Sequence, residues 1–429
     1  MARPKRLRRI LLVGVFFVAV AALGRLAWRT DTRLLRQRLV RDIQAFQAKA
    51  YPRPVQAAPA LPGRFGTQAA APWTALASLQ GLSRDVDFCP EAPDGGPPEA
   101  EAQRRCDRAL VQGAEPLAAL LQATHAEAAG PPEGLGALDT PAPPLEPRTF
   151  GTASYAGRMA VYAVRSTFAP PLSKTEGAVS LPLCVDLLAL ARDMSWGTAL
   201  EGRLAALTVT EMAFAPCAKA LDAGRTDAKR RAGEALARVV EGTPSLAETL
   251  SEWSVALRAQ LFAPYLAEAL PRLPEVVQRW ARARVPPAQR GLEEAVAFGA
   301  VWHNLQSRLD AVVEAARLPA PEAAERLSAL SAAAEPAFRA LGGLEFPDLG
   351  TLAVSDARAR TQLLLLRRVA EVSALRAETG LWPRPESLPG ALRSTAAQPF
   401  TLEEKGTEAV LRDTTSPRGP LEVHLSPRP

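Results

Sequence analysis

Four cysteines, three histidines and a few acids on apolar stretches are the residues here whose types could do chemistry. The cysteines are Cys89, Cys106, Cys184 and Cys217, and no two of them form a C-x-x-C pair. His125, His303 and His424 lie far from them in sequence, so the spacing offers no zinc site and no metal ligand is assigned. An even number of cysteines in an exported chain reads as two disulfides. Sequence order pairs Cys89 with Cys106, around a loop rich in Pro and Gly, and Cys184 with Cys217. The second pair has a geometric argument. Leu181 to Leu221 reads as a helical hairpin whose turn is bracketed by Gly197 and Gly202, and the midpoint of the two cysteines falls in that turn. The competing reading is four reduced, buried thiols.

Other polar groups are less telling. Arg192-Asp193, beside Met194 and Trp196, reads as an ion pair at a helix end, of the kind that is common and weak on surfaces. Trp302-His303-Asn304 falls in the middle of an apolar helix, where a histidine is expected to be packed and hydrogen-bonded. Glu201, Glu211, His303 and Asp310 are polar groups on otherwise apolar helices and could contribute to a site assembled from scattered residues. No G-x-S-x-G, H-E-x-x-H, P-loop or G-x-G-x-x-G motif occurs, so no catalytic or cofactor-binding residue is assigned and no cofactor is implied.

The stretch that locates these residues is 10–28, ILLVGVFFVAVAALGRLAW, preceded by Arg3, Lys5, Arg6, Arg8 and Arg9. Fifteen small or apolar residues cover about 22 Å, and nineteen can span a bilayer core if Arg25 snorkels and Trp28 sits at the interface. It reads as an uncleaved transmembrane anchor contacting membrane lipid. The alternative is a secretory signal, with small-residue cleavage sites near Ala19-Val20-Ala21 or Ala22-Leu23-Gly24. Either reading exports the rest of the chain. Residues 1–9 are expected to be a cytoplasmic tail and the body to lie in the periplasm of a bacterial inner membrane.

Charge agrees with that division. The first 43 residues carry eleven Lys and Arg against two Asp, while the whole chain has a net charge of +6. The exported body is therefore mildly acidic and offers no footprint for nucleic acid. Any protein partner is left unspecified. Arg outnumbers Lys, and Ala and Pro are abundant, which reads as a GC-rich bacterial coding bias.

The elements that would position these residues are mostly helices, since a core of Ala and Leu favours them. Residues 29–50 continue the anchor as a juxtamembrane helix, with Leu35, Leu39, Ile43 and Phe46 on one stripe. That stripe either lies on lipid or docks on the protein's own body. Residues 51–72 read as a Pro-rich linker or extended arm, and 73–345 as an α-helical extracytoplasmic domain. Within it, short helices are expected near 73–82, 99–112 and 116–128, a Pro/Gly loop over 130–147, and longer helices over 154–168, 225–241, 245–270, 273–284, 287–316 and 321–340. The last part, 346–429, reads as a long helix over 355–379 closed by Gly380 and Pro383. A hairpin over 400–412 and a third strand at 421–425 follow, burying Leu402, Leu411 and Val423. The expected fold is mainly α: an N-terminal transmembrane helix, an irregular α-helical bundle and a small antiparallel β-sheet at the C-terminus.

Two resemblances bear on this architecture. Leu375-Arg376-Ala377-Glu378-Thr379-Gly380-Leu381-Trp382-Pro383, with Leu388 and Pro399-Phe400, resembles the helix-to-sheet segment of type II secretion pseudopilins and of bacterial proteins sharing that tail. Gln398 stands where the family has Asp, the calcium-holding acidic loop has no counterpart, and the N-terminus lacks the pilin processing site. The resemblance thus implies a tail fold and no metal. Residues 183–257, with Cys184, Arg192-Asp193, Gly197 and Gly202, are similar to an uncharacterised group of bacterial membrane-anchored helical proteins with this tail. Together these features lead to a non-enzymatic, membrane-anchored envelope protein for interaction or scaffolding. The alternatives are an enzyme with a scattered site, or a module binding a lipid or hydrophobic ligand between helices.

Overall fold

The computed structural model describes residues 4–49, 51–52, 61–79, 100–139, 151–166, 177–262, 292–340, 346–383, 395, 398–406 and 408–426. The chain divides into two compact units, residues 1–49 with 255–306, and residues 50–254 with 307–429.

In the first unit, α1 is one continuous helix, Pro4–Ala48, of 45 residues. At the standard rise it is about 68 Å long. All residues from 14 to 24 are exposed, among them Phe16, Phe17 and Val18 at 65–69%. Further along, Leu39 and Ile43 are fully buried, so this part of the Leu35–Phe46 stripe docks on protein. Arg258, from the end of α8 (Leu246–Phe262), is buried there. It donates to Asp42 of α1 at 3.2 Å and to Gln306 Oε1 at 2.7 Å on α9 (Leu292–Ala315).

The second unit is mainly helical, with a small antiparallel sheet at its C-terminal end. Its centre is α11 (Leu349–Thr379), which packs against α6 (Ala199–Ala223), α7 (Thr226–Gly242) and α10 (Ala320–Ala340). Asp348 caps α11 by accepting from the Thr351 N–H at 3.1 Å. Gly380, at φ +72°, ends it, with its N–H donating to the Arg376 carbonyl at 2.8 Å. Arg376 then stacks on Trp382, 4.0 Å from the ring centroid. Leu352, Leu363, Leu365, Leu366, Val369 and Val372 are all buried. The helix is enclosed on most sides.

The C-terminal strands are β4 (Thr401–Lys405), β5 (Glu408–Asp413) and β6 (Leu421–Leu425), antiparallel in that order. Leu402, Leu411 and Val423 stand opposite one another across the three strands, and this ladder packs on the core. β6 lies on α6 and α11, tied by the Ser426 N–H to Asp222 at 2.9 Å.

Several boundaries differ from the sequence reading. Helix α2 runs Phe65–Leu79, through Pro72 and into the segment read as a linker. Phe65, Ala69, Trp73 and Leu76 are buried on one face, and that burial outweighs the proline penalty. Helix α3, Ala100–Ala123, likewise runs unbroken through Pro116 where two helices are expected. β1 (Tyr51–Pro52), β2 (Leu61–Arg64) and β3 (Ala126–Ala129) form a second sheet in the order β1-β3-β2, which the sequence pattern does not predict. Of the expected loop over 130–147, the described part to 139 is packed, with Leu135, Ala137 and Leu138 buried. The helix expected over 273–284 lies outside the described residues. Among the described residues α6 alone is long and apolar enough to cross a membrane, and it is 61% buried, as a core helix is.

Candidate functional site

The site grows from the end of α5 (Gly177–Met194) and the turn that joins it to α6. The turn is Ser195–Thr198, tightened by Ser195 N–H to Arg192 O at 3.1 Å and Trp196 N–H to Asp193 O at 3.3 Å. Gly197 adopts φ +71°, and a side chain there would press on Pro131 Cδ at 2.7 Å. Gly202 does not bracket the turn. It lies inside α6, where a Cβ would overlap the Met194 carbonyl oxygen and Thr198 Oγ1. Helix packing, not chain reversal, requires that glycine.

The disulfide Cys184–Cys217 joins the two helices with a Cα–Cα distance of 5.6 Å. The equidistance argument names the right pair but not the right register. Cys184 stands ten residues before Met194, whereas Cys217 stands eighteen after Ala199. Cys106 is also disulfide-bonded. Cys89, its expected partner, lies outside the described residues.

Around the turn sits a buried polar network. Arg192 and Asp193 are buried, which corrects their reading as a surface pair. Arg192 Nε donates to Asp193 at 2.9 Å and its Nη2 to the Thr124 carbonyl at 3.2 Å. Glu252 is buried and accepts from the Tyr51 hydroxyl and from the Gly197 N–H, both at 3.0 Å. Burial, with the Glu252 charge next, raises the Tyr51 pKa far above its ordinary value. Trp196 stacks on Tyr51 at 4.8 Å and donates from Nε1 to the Gly242 carbonyl at 2.8 Å. On the α6 side, Arg203 donates to Asp356 from Nε at 2.8 Å, and from Nη1 to Ser195 at 3.1 Å. Arg360 donates to the other Asp356 oxygen at 3.1 Å and to the Pro244 carbonyl. Burial alone would raise the Asp356 pKa, but Arg203 and Arg360 hold it below the usual carboxylate range.

Beside this network, α5 and α7 leave a groove of about 430 Å³. The helices run in the same direction. Gly224, before α7, sits against Leu181 near the start of α5, while Gly242 at the end of α7 meets Trp196 just past α5. Leu181, Val185 and Ala189 form one wall, and Ala228, Ala232 and Val239 the other. Its rim carries His125–Asp186, paired at 2.7 Å, and Asp227, paired with Arg231 at 3.0 Å and Arg225 at 3.5 Å. At the end nearest the turn, Arg192 and Arg238 line it together.

Of the four scattered polar residues, Glu201, Glu211 and Asp310 form no cluster within their unit. His303 belongs to the first unit, and Glu211, Asp310 and Glu201 to the second. Glu211 is exposed and bound by Gln362 at 2.6 Å, and Asp310 is exposed on a different helix. Among the described residues no group of three His, Cys, Asp or Glu could hold a metal. Glu201 is half-buried, and burial pushes its pKa up to about 7. A carboxyl whose folded pKa is raised binds its proton more tightly when folded, so stability falls as pH rises from about 4.5 through about 7. Glu201→Gln is expected to remove that slope, raising stability at pH 8 by about 1 kcal/mol after discounting for solvent. Urea titrations of both proteins at pH 5 and pH 8 measure it. Equal slopes would contradict the assignment.

Sequence reasoning missed the groove because its walls are ordinary small and branched apolar residues and its cations are dispersed along the chain; only Arg192-Asp193 drew attention to the place. Compared with protein-family models, curated proteins and solved structures, the chain matches none of them.

Proposed function

We propose that this protein is a single-pass, membrane-anchored envelope protein whose helical body lies outside the cytosol and serves interaction or scaffolding. One observation carries the reading: residues 14–24 of a continuous 45-residue helix are exposed all round, though nearly all are apolar. An apolar surface of that extent is costly in water and favoured in a bilayer. The Arg and Lys before it, and the arginines after it, would flank the hydrocarbon. The Cys184–Cys217 disulfide supports an oxidising compartment. The long helix ending at Gly380 and feeding a small sheet supports kinship of the tail with pseudopilin-like envelope proteins.

The test is fractionation of cells expressing the full chain. It is expected to stay in the membrane pellet through alkaline carbonate washing, and Phe16→Glu with Val20→Glu is expected to release most of it. Recovery of the unaltered chain in the soluble fraction would contradict the proposal.

A further inference from the structure

We propose that the α5–α7 groove binds a single-chain amphipathic anion of the fatty-acid class, its head between Arg192 and Arg238 and its chain along the alanine floor. The size fits: about 430 Å³ lies within the range of small-molecule sites. From Pro182 to Arg192 the groove follows ten residues of α5, about 15 Å at the helical rise. The two helices touch, and the small side chains of Ala189, Ala228, Ala232 and Ala235 leave apolar surface open beside the contact.

The charged groups of the outer rim are taken up with one another. Asp186 is taken by His125, and Asp227 by Arg231 and Arg225. Glu234, on the outer rim, acts on Arg230. At the inner end, Arg192 is nine-tenths buried and keeps one guanidinium nitrogen, Nη1, without a hydrogen-bond partner among the described residues. Arg238, half-buried beside it along the lining, has no carboxylate partner among the described residues. Arg192 Nη1, the one nitrogen not taken by Asp193 or Thr124, and the Arg238 guanidinium together match a carboxylate or phosphate head at the end of an apolar trough. The trough matches one chain, not two.

The experiment uses the full chain in nanodiscs and a dodecanoate carrying a terminal diazirine. After irradiation, label is expected on peptides of α5 and α7. Unlabelled dodecanoate or dodecyl phosphate should compete it away, and neither dodecyltrimethylammonium nor inorganic phosphate should do so. Arg238→Gln is expected to cut labelling at least five-fold with an unchanged melting temperature. Ala235→Leu, which fills the floor, is expected to do the same. Label confined to α1, competition by the cation or by phosphate alone, or full labelling of a folded Arg238→Gln protein would each overturn the proposal. If Ala235→Leu does not fold, Arg238→Gln decides.

Discussion

Asp356→Ala is expected to destabilise the body by about 3–5 kcal/mol, far more than loss of an exposed ion pair would. The carboxylate is buried and answers two arginines, Arg203 from α6 and Arg360 from α11. Removing it leaves the Arg203 guanidinium buried with Ser195 as its remaining neutral partner. The penalty is that uncompensated charge, not the net worth of the pair. Asp356→Leu with Arg203→Met should therefore recover most of the loss, because an apolar pair of similar volume buries no charge. Denaturant titration followed by tryptophan fluorescence reads both proteins. If the double variant is no more stable than the single, the charge argument fails. The pH dependence has a definite sign. A carboxyl held below its ordinary 3.8 contributes stability above that pH, and the contribution is lost only as pH falls through the depressed value.

The second expected result is a loss of about 4 kcal/mol when Cys184 and Cys217 are both changed to Ala. With the partners 33 positions apart in sequence, cross-linking removes that much loop-closure freedom from the unfolded chain. Both cysteines are buried in the same core cluster as Leu187, Leu188 and Leu221, so replacement by Ser would add a desolvation cost. The same loss should appear in the unaltered chain under reducing denaturation. A melting temperature insensitive to both reductant and mutation would show that the bridge adds nothing to packing already made.

Local signals made some elements legible in the sequence, and tertiary contacts hid the others. The C-terminal part was legible, because Gly380, Pro383 and the Lys405-Gly406 turn are strong local signals and each strand is only five or six residues long. The α5–α6 hairpin and its disulfide were legible in outline. The turn position was not, since Gly197 and Gly202 look alike in sequence and differ in backbone conformation, left-handed at Gly197 and helical at Gly202, and in what packs against them. Prolines misled in two places, Pro72 and Pro116, where buried neighbours on the same helix outweigh the missing donor. The first sheet was hidden because Ala126-Glu127-Ala128-Ala129 has no β-branched or aromatic residue. Burial of Arg192-Asp193 could not be read from adjacency. It follows from the Thr124 carbonyl, 68 residues away, which the tertiary fold brings to the Arg192 guanidinium.

The exposed apolar stretch of α1 and the buried disulfide both bear on where the body resides. The most direct measurement is protease accessibility in intact spheroplasts, with an epitope appended after Pro429 and another before Met1. We expect the C-terminal epitope to be digested from outside while the N-terminal one survives until the membrane is lysed. A C-terminal epitope that resists protease until lysis would place the helical body in the cytosol and contradict its proposed residence in the envelope.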